Sequence, residues 1–239
     1  MSNSWETGER KPEAIGSRLA RLIESSHLPS IRIRSENLNK LTSIERIVIV
    51  GSSATGKSTV VDQIREAVSS RASALADKIE VPKRVITRVQ RENDNFRENT
   101  FAPSEDAFEQ YVQDGLQWRR FMEGERVERY GFEPASEGKI PVYSGNNAIV
   151  NDSDNVQPAD ALRDALIVAV YAPDEVREER LEVRSPDLSQ EERAHRQGDR
   201  AVNMYSDAHI VVKNYGRNED NAPSDVIRLV ELVLQAAGK

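Results

Sequence analysis

Along most of this chain short apolar runs alternate with stretches in which apolar residues recur every three or four positions, with Gly, Pro, Ser or Asn between them. The alternation predicts strands and helices in turn, and hence a three-layer α/β fold around a mainly parallel sheet covered on both faces. The run Arg46–Val50, ending at Gly51, has the β-branched pattern of a fully buried parallel strand. Helical spacing follows from Lys57 to about Ser70, with Val60, Val61, Ile64 and Val68 on one face. Arg84–Thr87 reads as a second strand, and residues 104–116 as a helix capped by Ser104, faced by Phe108, Tyr111 and Val112 and closed by Gly115. Further strands are predicted at Ala148–Val150, Leu166–Tyr171 and His209–Val212. Helices are predicted from Asp174 to about Val183 behind Pro173, from Gln190 to about Tyr205 behind Ser189, and from Ser224 to Gln235 with Val226, Ile227, Val230 and Val233 inward. Residues 1–44 are polar apart from a helical spacing of Ile15, Leu19, Leu22 and Ile23, and read as a partly helical appendage to one domain at 45–239.

Composition narrows the function classes. No apolar stretch is long enough to span a bilayer, and the residues after Met1 carry no apolar signal segment, so a cytoplasmic protein without a membrane partner is expected. The 239 residues include no cysteine, which excludes disulfides and thiolate chemistry, and His27, His195 and His209 are too scattered for a local metal motif. Any metal should be a hard cation held by oxygen. A net charge of −7 argues against a broad nucleic-acid face. Local arginine clusters at 84, 88, 91 and 97, and at 180, 184, 193, 196 and 200, can form small anion pockets or serve as solvated helix and loop faces. Self-association is left open.

The segment Gly51-Ser52-Ser53-Ala54-Thr55-Gly56-Lys57-Ser58 satisfies G-x-x-x-x-G-K-[ST] between a predicted strand and a predicted helix. The chemistry requires that pattern. Glycines let backbone amides wrap phosphates, the helix N-terminus adds partial positive charge, Lys57 reaches the β- and γ-phosphates, and Ser58, followed by Thr59, offers a hydroxyl to Mg²⁺. The motif names a nucleoside triphosphate, not a reaction. An Asn-Lys-x-Asp guanine-reading segment is absent, and the nearest approach to an apolar run ending in adjacent acids is the imperfect Ile149-Val-Asn-Asp152-Ser-Asp154. Asp152 and Asp154 can hold Mg²⁺ or simply serve a turn.

From about Arg46 to Leu234 the order of short segments resembles the guanylate-kinase-like group of P-loop kinases, which includes guanylate kinase and ribose 1,5-bisphosphate phosphokinase. The segments are Gly51–Thr59, Thr87-Arg88-x-x-Arg91, Phe101–Phe108, Gly115, Tyr130-Gly131, Arg180–Arg184 with Arg196, and Asp207–Asn214. The resemblance implies ATP and Mg²⁺ as cofactors, an acceptor lobe at about 88–140 and a lid at about 184–198. It implies that Arg88, Arg91 and Tyr130 grip an acceptor phosphate, that Arg184 and Arg196 join Lys57 in catalysis, and that Asn214 lies near the adenine; Asp152, read from the residues alone, is the acid expected at the metal. Where guanylate kinases carry an acid that helps read guanine this chain has Asn99, so the expected acceptor is a sugar phosphate or another nucleoside monophosphate. The alternative is a catalytically silent module of the same shape that binds a phosphorylated partner.

Overall fold

The structure is a computed structural model that describes residues 13–70, 73–90, 96, 98–112, 116–121, 127–145, 148–151, 156–157, 160–184, 204–215 and 222–239. Among these, six strands form a central sheet in the spatial order β1 (Ile31–Ile33), β11 (Ile210–Lys213), β10 (Ala165–Tyr171), β2 (Arg46–Val50), β8 (Ile140–Ser144) and β3 (Ile79–Glu80). All neighbours run parallel except β1, which pairs antiparallel with β11, Ile31 opposite Val212. The mainly parallel α/β architecture expected from the pattern is the observed one.

Strand alternation divides the core in two. Ile47, Ile49, Leu166, Val168, Ile210 and Val212 point to one face and pack with three helices, α1 (Ile15–Ser25), α3 (Lys57–Ser69) and α8 (Ala222–Ala237). Val48, Val50, Ala165, Ile167, Ala169 and Val211 point to the other face. That face is covered largely by a second sheet of β5 (Asn99–Phe101), β4 (Arg84–Ile86), β7 (Val127–Phe132), β6 (Gln117–Phe121) and β9 (Val156–Gln157), through Ile86, Trp118, Tyr130 and Phe132. Two short helices, α5 (Ala148–Asn151) and α7 (Met204–Asp207), bring Ile149 and Tyr205 to the same cluster. The outer face of the second sheet is closed by α4 (Glu105–Tyr111), whose Phe108 packs with Val85, Ala102 and Val112.

Several expectations change. Arg84–Ile86 is a strand, but of the second sheet, because its register is to Phe132–Tyr130 and to Asn99–Phe101. Ala148–Val150 lies in helix α5; the strand beside β2 is instead Ile140–Ser144, hidden in the sequence by Pro141. Proline is tolerated there because pairing with β2 begins one residue later, Val142 opposite Ile47, where no donor is lost. Helix α4 begins behind the expected Ser104 cap, whose hydroxyl accepts from the Ala107 N–H at 3.1 Å, but ends at Tyr111, and Gly115 lies outside the described residues. Of the helix predicted from Gln190 to about Tyr205, residues 190–203 lie outside the described residues and Met204–Asp207 forms α7, while Asp174–Arg184 forms α6 as anticipated. Residues 15–44, read as an appendage, are built into the body: β1 extends the central sheet, and Leu19, Ile23 and Leu38 are buried with the α8 residues Leu229, Val230 and Val233. Their wide polar spacing concealed that contribution.

At the start of β11, His209 stitches three strands. Its N–H donates to Ile167 O at 3.0 Å, its O accepts from Arg34 N at 3.0 Å, and its Nδ1 accepts from Ile167 N at 2.9 Å. Burial, aided by the charge of Lys40, pushes its pKa down to about 4. The unfolded chain takes up that proton near the ordinary value of 6.5, so between 6.5 and 4 it binds more protons than the folded one and stability falls as pH drops; above 6.5 there is no penalty. Denaturation free energies measured from pH 7.5 to 4.5 should decline through this window, by up to about 3 kcal/mol on this account, and His209→Gln, which keeps an acceptor but does not titrate, should flatten the slope. Leu19→Ala should lower unfolding free energy by roughly 2–5 kcal/mol, because it opens a cavity beneath α8; a value near zero would mean that α1 is not part of the folding unit.

Candidate active site

β2 delivers the chain to the carboxyl end of the central sheet, and residues 51–56 turn it into α3. Ala54 (φ 62°) and Gly56 (φ 87°) are both left-handed there. Gly56 directly precedes the first helical residue, Lys57. Glycine adopts this region freely, whereas alanine meets a Cβ clash of about 1–2 kcal/mol. A Cβ at Gly51 would stand 2.7 Å from Thr55 Oγ1 and 3.0 Å from Val170 O, and one at Gly56 would run into the Asn214 amide. Close approach therefore calls for glycine at both positions, and at Gly56 the dihedral does so as well.

Three successive carbonyls of this loop are held from outside it. Arg177 Nε donates to Ser53 O at 3.1 Å, Arg180 donates through one terminal nitrogen to Ala54 O at 3.1 Å, and Asn214 Nδ2 donates to Thr55 O at 3.0 Å. The other terminal nitrogen of Arg180 donates to Asn214 Oδ1 at 3.3 Å, and the Asn214 N–H is fixed on Tyr171 O at 2.7 Å. Inside the loop the Thr55 hydroxyl donates to Ser52 O at 3.0 Å, and both residues are buried. Gly56 supplies no side-chain cap, and the first-turn amides of an α-helix lack internal partners, so the start of α3 at Lys57 is of the kind that can take up an anion. Ser58 and Thr59 are exposed at the second and third helical positions.

Phosphate groups fit this cradle. For a divalent cation the fit is narrower: among the described residues no three His, Asp or Glu side chains gather as ligands, and β8 runs beside β2 into Ser144 and Gly145 without an acid. Of the motif's side chains the Ser58 hydroxyl suits Mg²⁺, with phosphate oxygens and water filling the other positions. Asp152 lies outside the described residues.

The expected acceptor residues fall on the second sheet. Arg88 follows β4, stacks its guanidinium 5.6 Å above the Phe101 ring, and donates to Val89 O at 3.0 Å. Tyr130 stacks on Trp118 with centroids 5.3 Å apart and 13° between planes, and its phenol donates to the buried Glu128 at 2.6 Å. The phenol thus has a protein partner where a phosphate contact was expected. Trp118 Nε1 is buried without a hydrogen-bond partner among the described residues. Asn99 is buried and accepts from Arg84 Nε at 2.9 Å through Oδ1, the oxygen on which acceptor reading was expected to turn. Arg91 and Arg196 lie outside the described residues, as does most of the lid at 185–198; Arg184 closes α6.

Asn214 and Arg180 lie at the back of the loop: Arg180, which opens the Arg180–Arg184 segment of the resemblance, holds a loop carbonyl. Arg177 and Glu128 were missed. A signal for Arg177 existed, because it falls on the inward stripe of α6 with Arg180 and Leu181, where helical periodicity calls for an apolar residue.

No protein-family model and no curated protein matches the chain. A solved structure does. Guanylate kinase from Anaplasma phagocytophilum is 14% identical, over 82% of this chain and 88% of that one, with a TM-score of 0.44. No helix of the described residues is long and apolar enough to cross a membrane.

The site makes a direct prediction. Gly56→Ala forces a Cβ into the Asn214 amide at a positive φ, so it should weaken binding of Mg·ATP at least tenfold, the consequence of roughly 1–3 kcal/mol of local strain. Titration calorimetry on the purified chain checks it, and unaltered affinity would show that the loop does not hold the triphosphate.

Proposed function

We propose that this chain is an ATP-dependent phosphotransferase that passes the γ-phosphoryl group to a phosphorylated small molecule, a sugar phosphate or a nucleoside monophosphate other than guanosine monophosphate. The observation that carries this reading is the loop between β2 and α3, whose carbonyls are taken up by Arg177, Arg180 and Asn214 and which leads at Gly56 into the first turn of α3, where Lys57 is the first helical residue. Bound ATP supplies an activated phosphoryl group whose transfer asks the protein for positive charge, placement and exclusion of water rather than covalent chemistry.

The division of labour follows from charge and position. Lys57 counters the β- and γ-phosphate charge, Ser58 holds the Mg²⁺, and Arg88, presented by the second sheet with Arg91 beyond it, orients the acceptor's phosphate through bidentate bonds. Arg184 and Arg196, assigned by resemblance, add charge over the transferring group. A buried, prestacked wall of Trp118 and Tyr130 backs the second sheet. Asn99, an amide already engaged by Arg84, lacks the charge that suits the paired donors of guanine.

A second reading, a module that binds a phosphorylated partner without turnover, is favoured by the lack of an acid at the end of β8. One assay separates the two. ADP release is measured with Mg·ATP against guanosine monophosphate, other nucleoside monophosphates and ribose phosphates. The kinase reading expects turnover with at least one acceptor, guanosine monophosphate among the poorest, and a loss of about a hundredfold or more in kcat/KM for Lys57→Ala. ATP binding with no turnover on any acceptor would establish the silent module, and dominance of guanosine monophosphate would overturn the reading of Asn99.

A further inference from the structure

α6 (Asp174–Arg184) turns a buried arginine toward the phosphate loop where its stripe calls for an apolar side chain. Arg177 is 4% exposed, and its terminal nitrogen pairs with Asp174 at 3.0 Å, a carboxylate that is itself 79% exposed. An ion pair with so solvated a partner adds little. The hydrogen bond from Nε to Ser53 O is the contact with a structural consequence.

That consequence concerns Ala54, the non-glycine residue of the loop at positive φ. The two peptide groups flanking its Cα are each held by an arginine of α6: Arg177 takes the carbonyl of Ser53, and Arg180 the carbonyl of Ala54. A peptide unit is planar and trans, so a carbonyl drawn to one side sends the following N–H to the other. Holding Ser53 O against α6 therefore presents the Ala54 N–H away from α6. It also keeps Ala54 in a backbone region that its Cβ disfavours.

We propose that Arg177 is a positioning residue for triphosphate binding, which sets the Ser53–Ala54 peptide so that its N–H donates to a phosphate oxygen, without itself touching the nucleotide. This inference rests on the nucleotide-binding reading of the loop. It assigns a role on the phosphate side of the site only, so the base should be irrelevant to it.

The test is titration calorimetry of the full-length chain with Mg·ATP and, separately, with magnesium tripolyphosphate, for wild type, Arg177→Met and Arg177→Lys. Thermal unfolding of each protein without ligand accompanies it. Arg177→Met should lose about tenfold in affinity for both ligands, the worth of one preorganised hydrogen bond to a charged group. Arg177→Lys, which can still donate to Ser53 O, should recover part of that loss, and Tm without ligand should not track the order of affinities. Wild-type affinity for both ligands in Arg177→Met would overturn the proposal and leave the nucleotide-binding reading standing. A loss for ATP with none for tripolyphosphate would also overturn it, because the effect would lie at the base. If Arg177→Met does not fold, Arg177→Lys decides by the same comparison: unchanged affinity despite a lowered Tm marks a purely structural arginine. Failure of the wild type to bind either ligand would overturn the nucleotide reading and this inference together.

Discussion

The loop between β2 and α3 has to place its carbonyls somewhere, and the rest of this structure depends on where they go. Here three in succession, from Ser53 to Thr55, are taken by Arg177, Arg180 and Asn214. Two of those partners come from α6, which follows β10, and the third from the residue after β11. The loop after β2 is thus assembled from three neighbouring strands of the central sheet, and it can exist only where β2, β10 and β11 lie side by side and parallel. Loss of that order would leave partly buried carbonyls without these donors.

The same sheet divides labour between its faces. One face carries the mass of aliphatic burial against α1, α3 and α8, and makes the fold stable. The other is lined with smaller residues, Ala165, Ala169 and Ala208 among them, and receives the aromatic side of the second sheet. Because Trp118, Tyr130 and Phe132 stack with one another and with Tyr143 of β8, the second sheet is registered to a strand adjacent to the phosphate loop. Aromatic stacking of this kind supplies both area and orientation. On the far side of the second sheet, Arg129 sits between Glu105 and Glu109 and over the Phe108 ring, at 4.4 Å, which ties α4 to β7 and leaves the inward face to the aromatics and to Glu128.

Much of this was legible from local pattern alone. The phosphate loop, β2, α3, β10, α6, β11 and α8 each announce themselves through runs or periodicities within a few turns, since a fully buried parallel strand and a helix packed on one face need particular residues at particular spacing. The Ser104 cap was readable for the same reason. In the central sheet three strands escaped: Ile31–Ile33 and Ile79–Glu80 are too brief to show a period, and Ile140–Ser144 contains a proline; of the second sheet only Arg84–Ile86 was read as a strand. Ala148–Val150 looked like a strand because three apolar residues carry no period, and tertiary packing of Ile149 among the aromatics settled it as a helical turn.

By itself the sequence determined the place of the loop between β2 and α3, since the strand before it and the helix after it each carry their own pattern and the glycines mark the turn between them. It determined the alternating α/β order as well. Only the tertiary structure decided which strands are neighbours, that residues 15–44 complete the sheet and core, that Asn99 is spent on Arg84 and the Tyr130 phenol on Glu128, and that Arg177 and Arg180 stand behind the loop. The physical reason is range. A backbone carbonyl at Ser53 and a guanidinium 124 positions later meet through the packing of α6 beside β2, and no spacing along the chain encodes that meeting.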